Sequence, residues 1–302
     1  MAINKYTYLT LRRLPPFFEH KHRIVYSRIE QVRENSEIEH PAVRAVFDEV
    51  GVSEGLEIHN DADLPARSGL GSSSAFTVGL LNVLAAQRGV RMSKQQLALE
   101  AIRIEQDVIG EAVGSQDQIW AAYGGFNRID FQADGSFDVR PVVMPSQRMD
   151  ALLGSLMLFF TGFSRFAAQI EHKKMENLEQ KEKQLHEIRG LVDEAETILC
   201  QPDRSLDELG GLLHEGWMRK RSLADGVSTG SIDEIYDAAL GAGAIGGKLL
   251  GAGGGGFILF YVPPEKRQSV RKRLSSLIEV DLGIDRTGST IVMYEPNGLH
   301  RR

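Results

Sequence analysis

Four consecutive glycines, residues 253–256, stand directly before an apolar stretch in the sequence GGKLLGAGGGGFILF (residues 246–260). Glycine loses more backbone entropy on folding than any other residue, so a run of four is costly to order. A folded chain keeps such a run where its backbone must pass very close to another group, often a phosphate. A flexible hinge is the alternative interpretation, but the apolar stretch that follows is typical of a buried strand and counts against it.

The composition excludes several classes of protein. Of the 302 residues 42% are apolar and 25% are charged, as in a globular protein with its own core. The net charge of −6 implies no general affinity for polyanions, so nucleic acid is not an expected partner. The single cysteine, Cys200, cannot form an internal disulfide, which fits a reducing compartment. Residues 1–10 lack the apolar core of a signal peptide, and residues 151–160 are about half as long as a bilayer span. We therefore expect a soluble, cytoplasmic protein that binds no membrane.

Strand and helix patterns are mixed along the chain without a strict βαβ rhythm, which favours the α+β class over a doubly wound sheet. Besides the strand after the glycine run, strands are predicted at residues 5–12, 22–28, 55–61, 126–131, 137–142, 156–160 and 290–294. Helices are predicted at residues 41–50, 72–89, 93–110, 168–199, 206–222, 232–241 and 264–277. The pattern breaks at residues 145–150, where we place a boundary between a domain 1–150 and a domain 151–302.

A second motif, PARSGLGSSSA (residues 65–75), leads from a predicted strand straight into a long apolar helix. Such a junction directs unpaired backbone N–H groups and the positive end of a helix dipole to one point, which suits a phosphate. Gly69 and Gly71 let the backbone approach closely, and three serines add hydroxyl donors or a metal ligand. The motif is neither a Walker A loop nor a dinucleotide fingerprint. A serine N-cap on a core helix is the alternative interpretation.

Two carboxylates follow in residues 101–125 (AIRIEQDVIGEAVGSQDQIWAAYGG). A phosphate repels a nearby carboxylate unless a cation lies between them, so Glu105 or Asp117 could bind Mg²⁺. The other could orient or deprotonate an attacking hydroxyl. The alternatives are a charge on a helix surface for Glu105 and a loop cap for Asp117.

The motifs PxxxGLGSSSA, E…GSQDQ…YGG and KLLGAGGGGF, in this order, resemble those of the GHMP kinases, which include galactokinase and mevalonate kinase. The resemblance extends from about residue 4 to 294. Further stretches are most similar to those of the D-glycero-D-manno-heptose 7-phosphate kinases: INKY, HPxVR, SGLGSSSAFTVGLLN, SQDQ, TGxSR, LLHEGWxxK and GGKLLGAGGGGF. The resemblance implies an α+β fold with a ribosomal-S5-like N-terminal domain and a ferredoxin-like C-terminal domain.

The resemblance also implies a site for ATP, Mg²⁺ and a sugar, with Asp117 as the catalytic base and Ser73 and Glu105 as metal ligands. The segment implied to bind the ATP phosphates consists of Gly69, Leu70, Gly71, Ser72, Ser73 and Ser74. The expected substrate-binding residues are Gln116, Gln118, Arg67, Arg165, Gly253, Gly254 and Gly255. The two arginines are our own choice as fork donors to a substrate phosphate, and ordinary surface arginines are the alternative.

The implied activity is phosphoryl transfer from ATP to D-glycero-D-manno-heptose 7-phosphate, giving the 1,7-bisphosphate. Two alternatives stay open: a kinase of another sugar, of the galactose or fucose type, and a non-catalytic sensor of nucleotide or sugar on the same fold. The expected partners are ATP and a sugar phosphate, and a homodimer also stays open.

The chain departs from the family pattern at its start. The family opens with a strand and a glycine-rich acidic loop before the INKY strand, whereas only Met1 and Ala2 precede Ile3 here. That motif supplies sugar contacts, part of the first sheet and often a basic residue near the transferred phosphoryl group. We therefore expect a truncated or misassigned start, poor activity of the 302-residue form and an unpaired strand edge.

Overall fold

The computed structural model describes residues 1–66, 68–162 and 182–295. The chain forms two compact units, described separately below. Unit 1 comprises Met1–Ala66, Gly71–Gly125 and Ile284–Arg302, and unit 2 comprises Arg67–Leu70 and Phe126–Gly283. In the described ranges, no helix combines the length and the apolar character needed to cross a membrane.

Unit 1 is a four-stranded sheet with helices packed against it. Its strands are β1 (Thr7–Arg13), β2 (His22–Val25), β3 (Ile29–Val32) and β4 (Leu56–Ala62), in the spatial order β1-β4-β2-β3. Its helices are α1 (Pro41–Val50), α2 (Ser72–Gln87), α3 (Lys94–Arg103) and α4 (Gln116–Tyr123), and a π-helical turn, Ile104–Val108, continues α3. Strand β4 pairs antiparallel with β1 and parallel with β2. The mixed sheet and its helices confirm the α+β prediction.

Local signals in the sequence account for the helix ends in unit 1. His40 caps α1 by accepting a hydrogen bond from the backbone N–H of Val43, and Gly51 ends the helix in the left-handed conformation at φ 68°. Ser93 and Gln96 form a reciprocal capping box at the start of α3, as the predicted N-cap requires. The helices predicted from residues 41, 72 and 93 are therefore confirmed.

The segment after Ile284 returns to unit 1. Ile284 forms an isolated antiparallel bridge with Ile3, and the N–H of Ser289 donates to the carbonyl of Ala121 at 2.8 Å. The strand predicted at residues 290–294 is wrong, since these residues have no regular structure. Instead, the buried side chain of Asp285 accepts hydrogen bonds from the backbone N–H groups of Thr287 and Gly288, which folds the segment into a turn.

Unit 2 contains the remaining elements. They are β5 (Asn127–Phe131), β6 (Phe137–Pro141), α5 (Ser146–Ser155), β7 (Leu156–Gly162), α6 (Glu182–Cys200), α7 (Asp207–Arg221), α8 (Gly230–Gly241), β8 (Gly246–Leu249), β9 (Gly256–Tyr261), α9 (Arg267–Arg273) and β10 (Ile278–Val280). The predicted helix 168–199 is confirmed from Glu182 onward, and its first part lies outside the described residues. Strands β8 and β10 were not predicted from the sequence.

The main sheet of unit 2 has the order β10-β7-β9-β8, and all its neighbouring strands are antiparallel. Strands β7 to β10 with α8 and α9 follow the chain order β-α-β-β-α-β of a ferredoxin-like fold. The core of this unit includes Phe159, Trp217, Tyr236 and Phe260, all buried.

The hairpin β5–β6 belongs to unit 2, although the domain boundary was predicted later, at residues 145–150. Arg128 on β5 explains this, because its guanidinium pairs with Asp193 at 2.6 Å and Glu196 at 2.7 Å, both on α6. The change of unit therefore falls between Gly125 and Phe126.

A buried carboxylate cross-links three positions of the sheet in unit 1. Glu57 on β4 accepts hydrogen bonds from Arg12 at 2.7 Å, Arg23 at 3.2 Å and His59 at 2.8 Å. Burial alone would raise the pKa of Glu57, but the hydrogen bonds from His59 and Arg12 and the charges of Arg12 and Arg23 hold the pKa below its ordinary value of 4.5.

We expect Glu57→Gln to lower the free energy of unfolding by about 2 kcal/mol at pH 7. Because the folded-state pKa is depressed, the contribution of Glu57 is present above the unfolded-state pKa and is lost as the pH falls through the folded-state value. The difference between the two proteins, measured by urea unfolding, should therefore shrink below about pH 4.5. The control Glu39→Gln, in an exposed ion pair with Arg28, should change little. A difference independent of pH would contradict this account.

Candidate active site

Helix α2 begins at a glycine and not at a serine. Gly71 is its N-cap, in the left-handed conformation at φ 71°, and no side chain in the described part of the protein caps the helix. The alternative of a serine N-cap is therefore wrong. The first turn thus has the backbone donors and the positive end of the helix dipole that suit an anion.

The side chain of Asp117 lies against Gly71. A Cβ atom added at Gly71 would be 3.1 Å from both Cγ and Oδ2 of Asp117. Asp117 stands in the first turn of α4, where the helix dipole favours its negative charge. Its exposed neighbour Gln116 approaches Oδ1 at 3.4 Å. The predicted base thus lies beside the start of α2, at a left-handed position where an added Cβ would crowd its carboxylate.

A second carboxylate, Glu105, is buried between α2 and α4. It is 1% exposed and accepts hydrogen bonds from the Ser74 hydroxyl at 2.9 Å and from the Gln118 amide at 2.5 Å. Its other oxygen, Oε1, is buried and has no hydrogen-bond partner among the described residues. Glu105 stands in the π-helical turn, a geometry often found at functional sites. The alternative of a surface charge is therefore wrong for Glu105.

The donor set around Glu105 fits Mg²⁺. Mg²⁺ prefers oxygen ligands and usually binds through one or two carboxylates while keeping waters and substrate phosphates as its other ligands. The described residues contain no cluster of three or more His, Cys, Asp or Glu that could enclose a metal by themselves. Burial and the neighbouring charge of Glu105 raise the pKa of Glu111, whose N–H donates to the Glu105 carbonyl. A bound cation would pair with Oε1 of Glu105 and would also reduce the repulsion between the two carboxylates.

Sequence reasoning missed Ser74 as the partner of Glu105. Ser73, predicted as a metal ligand, is exposed in the first turn of α2, and in the described ranges the side-chain hydrogen bonds to Glu105 come from Ser74 and Gln118. Ser74, Val78 and Leu81 are all buried and follow the helical spacing of one face, a signal that could have placed Ser74 inside. The role of Ser73 stays a prediction.

Gln118 does not face a substrate as predicted. It is fully buried, and its amide donates to Glu105, so it supports that carboxylate instead. Arg67 and Arg165, predicted to bind a substrate phosphate, lie outside the described residues. Gly69 and Leu70 belong to unit 2, and Ser72 is the first residue of α2.

In unit 2 the glycine run passes close to other backbone segments, as predicted. Gly251 and Gly253–Gly256 all have positive φ. An added Cβ would lie 2.5 Å from the Cα of Gly69 at Gly251 and 2.7 Å from the Cα of Val227 at Gly253, and it would overlap the Ser68 carbonyl at Gly256. The N–H of Gly254 donates to the carbonyl of Val227 at 3.1 Å. These close approaches favour an ordered loop over a hinge.

Two family models match the chain. The N-terminal domain of the GHMP kinases matches residues 37–125, and the C-terminal domain of the GHMP kinases matches residues 173–279. The chain belongs to the GHMP kinase family.

Individual kinases are also similar to this chain in sequence or in structure. A D-glycero-alpha-D-manno-heptose 7-phosphate kinase from Campylobacter jejuni is 32% identical over 72% of this chain and 65% of its own length. A mevalonate kinase from Thermococcus sibiricus is 29% identical over 76% of this chain and 66% of its own. The chain thus spans about two thirds of these relatives. A crystal structure of a D-glycero-D-manno-heptose 1-phosphate kinase from Bacteriodes thetaiotaomicron aligns with a TM-score of 0.72 and 25% identity, over 95% of this chain and 86% of that one.

We expect Ser74→Ala and Ser73→Ala to differ in their effect on stability. Ser74→Ala removes a donor from a buried carboxylate and should lower the free energy of unfolding by about 1–3 kcal/mol. Ser73→Ala changes an exposed hydroxyl and should leave stability unchanged while reducing the affinity for Mg·ATP. Thermal unfolding and calorimetric titration measure the two effects. Equal losses of stability would contradict the separate roles of the two serines.

Proposed function

We propose that this GHMP kinase transfers the γ-phosphoryl group of ATP to a hydroxyl of a sugar, with Mg²⁺ bound at Glu105. The observation that carries the proposal is the buried Glu105 carboxylate with its orphaned oxygen, in the same unit as Asp117 beside the uncapped start of α2. The family of the chain supports the same activity.

In the proposed mechanism, backbone donors bind the ATP phosphates. In unit 1 the N–H groups of Ser72, Ser73 and Ser74 lie in the first turn of α2, where the helix dipole also attracts an anion. Gly69 and Leu70 precede them in the chain. Taken separately, unit 2 holds the proposed substrate-binding residues Gly253, Gly254 and Gly255 in a loop whose backbone passes too close to Val227 for a side chain at Gly253.

Ser73 and Glu105 would hold Mg²⁺, which neutralises negative charge on the β- and γ-phosphate oxygens when bound. Ser74 and Gln118 keep the Glu105 carboxylate in place by donating to the same oxygen, Oε2, which leaves Oε1 for the cation. Neither donor carries a charge, so the site keeps its affinity for a cation.

Asp117 would accept or orient the proton of the attacking sugar hydroxyl. The hydroxyl oxygen forms a bond to the γ-phosphorus in line with the bond to the β-phosphate oxygen that breaks, and ADP leaves. Asp117 stands in the first turn of α4, where the helix dipole favours a negative charge.

For the substrate we propose D-glycero-D-manno-heptose 7-phosphate, with the 1,7-bisphosphate as product. The heptose phosphate kinases among the relatives support a phosphorylated heptose. Arg67 and Arg165 are proposed to bind its phosphate, since guanidinium groups match phosphate oxygens in pairs. The rival substrates are galactose and fucose, which carry no phosphate. We place the reaction in the cytoplasm, where the single cysteine, exposed in the structure, stays reduced.

The test is ATP consumption with Mg²⁺ on heptose 7-phosphate, heptose 1-phosphate, galactose, fucose and mevalonate, side by side. We expect turnover on heptose 7-phosphate, with a KM at least tenfold higher in Arg67→Ala and Arg165→Ala, because each variant loses a phosphate contact. Phosphorus NMR identifies the product. Turnover on galactose or fucose, unaffected by the arginine variants, would overturn the substrate assignment. ATP binding without turnover on any substrate would favour the sensor.

A further inference from the structure

We propose that Lys220 is a positioning residue for phosphate binding, because it fixes the path of the glycine-rich loop 251–256. The inference rests on the proposed function, in which this loop contacts a phosphate. Lys220 is the last residue of the stretch LLHEGWxxK, for which the resemblance supplied no role.

The ammonium group of Lys220 binds two carbonyls at the start of the loop. Its Nζ donates to the carbonyl oxygen of Gly251 at 2.6 Å and approaches that of Leu249 at 3.3 Å. These two carbonyls are two residues apart in the chain, and one cation draws both to the same side. Because the peptide unit is planar and trans, fixing a carbonyl also fixes the N–H group of the next residue in the opposite direction.

Lys220 reaches the loop from a well-anchored helix. It stands in the last turn of α7, three residues after Trp217, which is 1% exposed in the core of unit 2. The neighbouring Arg219 pairs with Glu187 and Glu215. Because helix α7 is anchored in the core, the position of the Lys220 ammonium group is fixed, and its hydrogen bonds fix the start of the loop.

Beyond Gly251 the backbone has little freedom to compensate. Gly251 is in the left-handed conformation at φ 67°, and its Cα faces that of Gly69 too closely for a side chain. Backbone contacts hold the middle of the loop to Val227, and the Thr161 hydroxyl donates to the carbonyl of Gly256 at 3.0 Å. Lys220 thus holds the first turn of a loop whose end is held independently, and it adds a positive charge where a phosphate would bind.

The test compares Lys220→Met, Lys220→Arg and the control Arg219→Met, which removes the neighbouring cation that pairs with Glu187 and Glu215. The exchange rate of the Gly254 amide hydrogen, measured without nucleotide, reports on the order of the loop. Steady-state kinetics give the KM for ATP and the KM for the sugar separately.

We expect Lys220→Met to speed exchange at Gly254 at least tenfold and to raise the KM for ATP at least tenfold. The KM for the sugar and the melting temperature should change little. Lys220→Arg, which keeps charged donors, should restore most of the wild-type exchange rate and of the wild-type KM for ATP. Arg219→Met should change neither quantity. Exchange and ATP affinity at wild-type values in Lys220→Met, or equal effects in Arg219→Met, would overturn the inference.

The two proposals fail in distinguishable ways. A wild-type protein that binds ATP but phosphorylates no sugar contradicts the proposed activity, while exchange and ATP titration still decide the role of Lys220. If the wild type phosphorylates the sugar and Lys220→Met has the same exchange rate and ATP affinity, only the proposed role of Lys220 is contradicted.

Discussion

The buried carboxylate of Glu105 is the constraint on which unit 1 depends. A carboxylate that is 1% exposed loses its hydration, and in the described ranges its partners are a hydroxyl and an amide, not a cation. Ser74 comes from α2, Glu105 from the π-helical turn and Gln118 from α4, so one charge fixes three elements. A fold accepts such a cost where a ligand supplies the missing charge, which is the role of Mg²⁺ in the proposed function.

Steric limits at glycines shape each of the two units. Gly71 lets the Asp117 carboxylate lie at the start of α2, and in unit 2 the glycines at 251 and 256 let the loop meet residues 68 and 69. Ordering these glycines costs backbone entropy, and glycine has no side chain whose packing would compensate for that cost. Close approach to other backbone segments and to the Asp117 side chain requires glycine at these positions of the glycine run and the GLG motif.

Local patterns predicted much of the fold, and tertiary contacts decided the rest. Signals such as the Ser93 cap of α3 and the proline in the first turn of α1 act within a few positions, so these two helices were predictable. The site carboxylates followed from motif spacing and the family resemblance. The partner of Glu105 did not, because it depends on which face of α2 is buried. Residues 290–294 have the sequence pattern of a strand, but the turn at Asp285 brings this segment to α4 instead. Arg128 likewise draws β5 to α6 through contacts distant in sequence.

The central claim is that Asp117 performs the proton step of a phosphoryl transfer that unit 1 is built to support. The most direct measurement is single-turnover phosphorylation by Asp117→Asn, together with titration of Mg·ATP and with Asp107→Asn as an exposed control. The account predicts at least a hundredfold loss of rate in Asp117→Asn with Mg·ATP affinity nearly unchanged, and wild-type behaviour in the control. A wild-type rate in Asp117→Asn would contradict it.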